Sequence, residues 1–241
     1  RVTKTIVIEA GIHNGIVLQG AGGPAGMYTG RTEIVYDGPA GGHLLDCWSF
    51  GLRLRDLWLV GGGKAGVLLR VNSRPGSGTA IYAVERVHLQ DAECGVECGA
   101  EPPEVCASDM TFTDLEGLHL GTGFRTMNAQ NLNYALIRPV FEECGIGYHF
   151  KNGGSVVAVL PSGGRCETFI KIEGGGINAG TFQFIGMRME PHTGKKASVW
   201  LEASGETQVQ FSGLLVTCMG VWKDADGQAE ATGQTPKFIL G

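Results

Sequence analysis

Leu52-Arg53-Leu54-Arg55-Asp56-Leu57-Trp58-Leu59-Val60-Gly61 is a short strand-like run that ends at glycine. Ala83-Val84-Glu85-Arg86-Val87-His88-Leu89-Gln90-Asp91 repeats the pattern, and so does Phe182-Gln183-Phe184-Ile185-Gly186-Met187-Arg188-Met189-Glu190. Such runs return about every 20 to 30 residues. A unit of that length has no core of its own and must stack on its neighbours, which predicts a solenoid.

The rest of the chain agrees. Thr3 to Glu9, Gly66 to Val71, Met110 to Leu120, Ala135 to Glu143, Gly147 to Lys151, Val156 to Leu160 and Thr168 to Glu173 all read as short strands bounded by Gly, Asn, Asp or Pro. No segment carries a sustained helical stripe. The 241 residues include 40 glycines, far above the usual ~7%. They have no collagen period, and apolar residues lie between them, so they predict tight turns rather than disorder.

A net charge of -5 with no basic run argues against a nucleic-acid partner. No apolar run approaches the ~20 residues of a membrane helix. The chain starts at Arg1 without a visible secretion signal, and upstream sequence is expected. Seven cysteines cannot all pair within one chain, and the spacing of Cys94, Cys98 and Cys106 fits no standard zinc pattern. Buried, near-apolar thiols are expected instead, with no metal and no cofactor.

With the runs superposed, Leu57, Val87, Leu115, Val140, Met187 and Leu214 take one equivalent inward position. The step from Val140 to Met187 is doubled and hides a coil near Val159 and Leu160. Cys94-Gly95-Val96, Cys144-Gly145-Ile146 and Cys218-Met219-Gly220-Val221 then fall at equivalent turns, with Lys64-Ala65-Gly66-Val67 in the same place earlier. That alignment predicts an internal cysteine ladder at a repeated corner. The fold expected is all-β, a right-handed parallel β-helix of about seven to nine coils over residues 1–222. Residues 223–241 are expected to form a polar C-terminal segment or cap, covering the end of this chain's stack or a neighbour's.

Gly15-Ile16-Val17-Leu18-Gln19-Gly20-Ala21-Gly22-Gly23, followed by Thr32-Glu33-Ile34-Val35-Tyr36-Asp37-Gly38, resembles the opening coils of the pectate-lyase-like β-helix superfamily. Arg55 to Gly61 and Phe182 to Glu190 resemble its succeeding coils. The superfamily includes pectin-degrading enzymes, other polysaccharide lyases and hydrolases, and phage tailspikes. The Asn-Thr-Asp, Asp-Asp, Gly-His-Gly and Arg-Ile-Lys segments of polygalacturonases are absent here, as is the Trp-Ile-Asp-His segment of pectate lyases. The resemblance therefore implies carbohydrate contact more than any one reaction.

Equivalent side chains in adjacent coils lie about 4.8 Å apart, so alignment converts into distance. Asp56, Arg86 and Asp114 align just before the inward position, and Trp58, His88 and Glu116 just after it. Asp114, Glu116, Glu142 and Glu190 are the acid/base candidates, because glycoside cleavage needs paired carboxylates. Trp58, Arg86, His88, Arg138 and Arg188 are the sugar-binding candidates, with Trp58 as a stacking platform. The plain alternative for these ladders is a solvated run of salt bridges. Glu142 and Glu143, being adjacent in a strand, are expected on opposite faces.

The missing enzyme motifs favour a phage tailspike or tail fibre, located in the virion or otherwise extracellular. Such a protein binds bacterial surface polysaccharide as a homotrimer alongside other tail proteins, with or without depolymerase activity. A free polysaccharide lyase or glycoside hydrolase and a purely structural virion β-helix are the competing readings.

Overall fold

The computed structural model describes residues 1–9, 11–21, 31–71, 81–99, 108–128, 130–174, 180–190, 199–205 and 207–213. It also describes the backbone of strands Leu215–Val216, Trp222–Lys223, Ala229–Glu230 and Lys237–Leu240. The architecture is a parallel β-solenoid, with no helix among the described residues. Each coil contributes a strand to each of three faces.

The first face stacks Val17–Gln19, 53–55, 83–85, 110–113, Leu132–Ile137, Ser155–Val159, Gly180–Ile185 and Thr207–Ser212. The second stacks Thr32–Val35, 57–60, 87–90, 116–118, Val140–Glu142, Ser162–Gly164, Arg188–Glu190 and Leu215–Val216. The third runs from Ile6–Ile8 through His43–Cys47, 67–71, 94–98, 122–126, Ile146–Lys151, Thr168–Glu173 and Val199–Ser204 to Lys237–Leu240. The regular stack amounts to about six turns, fewer than the seven to nine expected. The difference lies at the ends, where shorter strands pair on. Within the C-terminal segment, Lys237–Leu240 pairs with Val199–Ser204 of the same chain.

The period of two explains the core. On the first face Leu54, Val84, Phe112, Leu136, Ala158, Phe184 and Phe211 share one inward column. Ring contacts such as Phe112–Phe124 at 5.1 Å and Phe150–Phe182 at 4.8 Å join successive coils and facing walls. Trp200 and Phe169 are buried in this interior. On the second face the inward column reads Leu59, Leu89, Gly117, Phe141, Gly163 and Met189. A side chain on Gly117 would begin 2.5 Å from the Phe141 ring, so the glycine makes room for that phenyl group.

Sharp corners separate the faces. Between the first and second faces, Asp56, Arg86, Asp114, Arg138 and Leu160 all take left-handed backbone, with φ from 51° to 57°. Between the second and third, Asp91, His119, Glu143 and Arg165 do the same, with φ from 52° to 57°. One such residue per coil turns the chain while keeping each strand in register.

Two alignments made on residue type are corrected by the pairing. Glu116 is opposite Val140, so Pro139 and not Val140 continues the column of Leu57, Val87 and Leu115, and Val140 points outward. A one-residue slip exchanges the two sides of a strand. Met187 is buried as expected, whereas Leu214 lies outside the described residues. Cys94 pairs with Thr122, which pairs with Ile146, so Cys94 sits two residues out of step with Cys144. Cys166 is the thiol stacked on Cys144: Glu167 N–H donates to the Cys144 carbonyl at 3.1 Å. Cys47, Cys94, Cys98, Cys144 and Cys166 are buried thiols outside any disulfide, and burial pushes the Cys94 thiol up to about 12. Cys106 and Cys218 lie outside the described residues.

Candidate functional site

Register gathers the predicted residues onto the second face and its edge. One outward column reads Glu33, Trp58, His88, Glu116, Val140, Ser162 and Arg188. The next outward column reads Val35, Val60, Gln90, Leu118, Glu142, Gly164 and Glu190. Arg86, Asp114 and Arg138 stand beside them on the corner shared with the first face.

The corner residues satisfy one another. Arg86 donates to both oxygens of Asp56, at 2.6 and 3.1 Å, and Arg138 donates to both of Asp114, at 2.7 and 2.8 Å. Paired guanidinium forks of this kind are the strong form of the contact. The hydrogen bonds from Arg86 and Arg138 hold the carboxyls of Asp56 and Asp114 below the usual range. Asp114 is thus an ionised, engaged carboxylate rather than a proton donor. These groups form the run of salt bridges that was the plain alternative.

The second face is different. Its coils enclose a recess of about 350 Å³, lined by Arg31, Trp58, His88, Gln90, Glu116, Gly117, Leu118 and Glu142. Trp58 stacks on His88 with ring centroids 3.7 Å apart, and the Arg31 guanidinium lies 3.8 Å over the Trp58 ring. Trp58 is 8% exposed, so it forms a wall of the recess and not an open stacking platform. His88 is 5% exposed; its Nδ1 meets Glu116 Oε2 at 3.0 Å, while its Nε2 is buried without a partner. The hydrogen bond with His88 holds the Glu116 carboxyl below its usual range. Its ring is thereby fixed, and the free nitrogen belongs to a side chain lining the recess.

Glu142 closes the far side. Its carboxyl approaches Arg165 only at 3.9 Å, whereas Arg165 holds Glu143 at 2.7 Å. Glu143 turns the corner with φ 53°, so both glutamates reach one arginine instead of facing opposite ways. Beyond Glu142 the column drops to Gly164 and then rises to Glu190. The Glu142 side chain leans over the gap, its Cγ 3.2 Å from where a Gly164 Cβ would sit. Glu190 is ion-paired to Arg188, outside the recess.

Trp58, His88, Glu116 and Glu142 therefore come together in one recess, Arg188 and Glu190 lie farther along its face, and Arg86, Asp114 and Arg138 belong to its edge. Gln90 and Leu118 were legible as the outward positions after Leu89 and Gly117. Arg31 carried no periodic signal. Among the described residues, no group of three or more His, Cys, Asp or Glu side chains is placed to hold a metal, and no helix is long and apolar enough to cross a membrane. Comparison with known proteins finds no match among family models, curated proteins or solved structures.

Proposed function

We propose that this solenoid holds a bacterial surface glycan along its second face, as a virion attachment protein of the tailspike type. The recess is the observation that carries the proposal. Its volume of about 350 Å³ lies within the ~300–1,000 Å³ range of small-molecule sites. Hydrogen-bonding side chains from successive coils line it. In-register coils repeat such groups about every 4.8 Å, a spacing suited to a chain of sugar units. The trimer and the virion context rest on the resemblance of the opening coils.

The test is binding of the whole chain to immobilised bacterial surface polysaccharides, with light scattering for the assembly. Saturable binding that Glu142→Ala weakens supports the proposal. Absence of binding to every glycan overturns it, and a monomer at working concentration removes the tailspike part.

A depolymerase is the second reading, and one observation favours it. Glu142 and Glu190 flank Gly164 in one column, so their backbones are two coils, about 10 Å, apart. Inverting glycosidases hold two carboxyls about 6.5–9.5 Å apart. Release of reducing ends that Glu142→Ala and Glu190→Ala each abolish would establish it; an unchanged glycan would exclude it.

A further inference from the structure

We infer that the recess selects neutral or amino-bearing sugars and rejects uronic acids. This rests on the glycan reading of the same site and names its ligand class. An acidic sugar needs an uncommitted cation, and the recess offers none among the described residues. Arg31, the one cation lining it, is engaged by Glu33 at 2.5 Å and lies over the Trp58 ring. Farther along the face and on its corners the other arginines are spoken for. Arg188 holds Glu190, Arg165 holds Glu143, and the first corner closes on its own aspartates.

The groups left open are of the opposite kind. Glu142 projects into the recess with only the distant Arg165 contact, and an ionised carboxylate accepts hydrogen bonds but donates none. It therefore matches sugar hydroxyls and ammonium groups. Glu116 contributes a second negative charge to the same space. His88, nine-tenths buried, lines the same recess and is held there by Glu116 through Nδ1, which fixes the Glu116 carboxylate on the recess wall. A uronate would instead set a third carboxylate beside Glu116 and Glu142.

The same charge pattern separates the two cleavage chemistries. β-Elimination from a uronate needs a cation to neutralise the sugar acid, whereas hydrolysis of a neutral glycan does not. Any depolymerase activity at this site is therefore hydrolytic.

The experiment is a binding panel on the full chain, with soluble oligosaccharides sorted by charge and including glucosamine oligomers, neutral hexose oligomers and oligogalacturonate. At least one neutral or amino-bearing member is expected to bind, and the uronate members at least tenfold more weakly than the best of these. Glu142→Gln should weaken the amino-bearing members most. Glu142→Lys, at a half-exposed position, should reverse the order of amino-bearing and uronate members, with circular dichroism confirming the fold. Tightest binding by uronates overturns this inference and leaves the glycan reading standing. No binding by any class overturns both.

Discussion

Two columns of polar side chains run side by side along the stack, and they end in opposite states. On the corner, Asp56 meets Arg86 and Asp114 meets Arg138, each guanidinium bridging one coil step and each carboxylate fully engaged. On the adjoining face, aromatic, imidazole and carboxylate follow one another, and the column leaves His88 Nε2 without a partner while Glu142 projects beside it. Both columns come from the same repeat and draw on similar residue types. Alternating charge lets a ladder close on itself, whereas a change of chemical type at every coil leaves groups available to something outside the chain. Exposure alone does not separate a binding surface from a structural one; the state of the partners does.

The largest expected effect is on binding. Glu142→Ala should lower glycan affinity at least tenfold, about 1.4 kcal/mol, and leave the melting temperature nearly unchanged, because its one ion-pair contact is long. Asp56→Asn should do the reverse. It should cost about 1 kcal/mol of stability, the upper range for a partly exposed pair, and lower the melting temperature by about 2–4 °C with affinity intact. Calorimetry on both variants checks the contrast. Equal loss of affinity in the two would show that the corner belongs to the site.

Acid sharpens the same contrast. Arg86 depresses the folded-state pKa of Asp56, so the stability this carboxylate adds is complete above its ordinary value of 3.8 and is lost as the pH falls through the lower folded value. Denaturation curves between pH 6 and pH 2 should therefore fall less steeply for Asp56→Asn than for the parent. A smaller effect belongs to the third face. Burial lowers the pKa of His149, although Glu173, 3.3 Å away, opposes the shift. The neutral ring is favoured in the fold, so stability declines as the pH drops below 6.5 toward the folded value. His149→Asn should flatten the curve between pH 7 and pH 5, and an unchanged slope would assign the decline to other groups.

The solenoid was legible because stacking imposes a strand period of two and a coil period of 20 to 30 residues, and both survive in residue type. Trp58, His88 and Glu116 were legible for the same reason, since Leu57, Val87 and Leu115 fixed their register. Register failed where an apolar residue was not the inward one. Pro139 occupies the position assigned to Val140, and that single slip hid Arg138 as the partner of Asp114. Cysteine type misled in the same way, aligning Cys94 with Cys144 when Cys166 is its true neighbour. The recess itself was not legible. It depends on Arg31 lying over Trp58 and on Glu142 leaning across Gly164, and neither contact leaves a periodic trace.

Leu160 offers the finest test of what a corner needs. It occupies the left-handed position that Asp56, Arg86, Asp114 and Arg138 fill in earlier coils, with φ 51° and 55% of its surface exposed. A branched apolar side chain gains nothing there from charge, yet left-handed backbone costs an ordinary residue roughly 1–2 kcal/mol. Asparagine tolerates that conformation because its short amide bonds to the local backbone. Leu160→Asn should therefore raise stability by about 0.5 kcal/mol, the relief being partly offset by lost packing over Gly186. Leu160→Ala keeps the conformational cost and should show no gain. Chemical denaturation of the two variants decides the matter: equal stability would mean that the corner backbone is unstrained, and that the charged residues before it are present for their ion pairs alone.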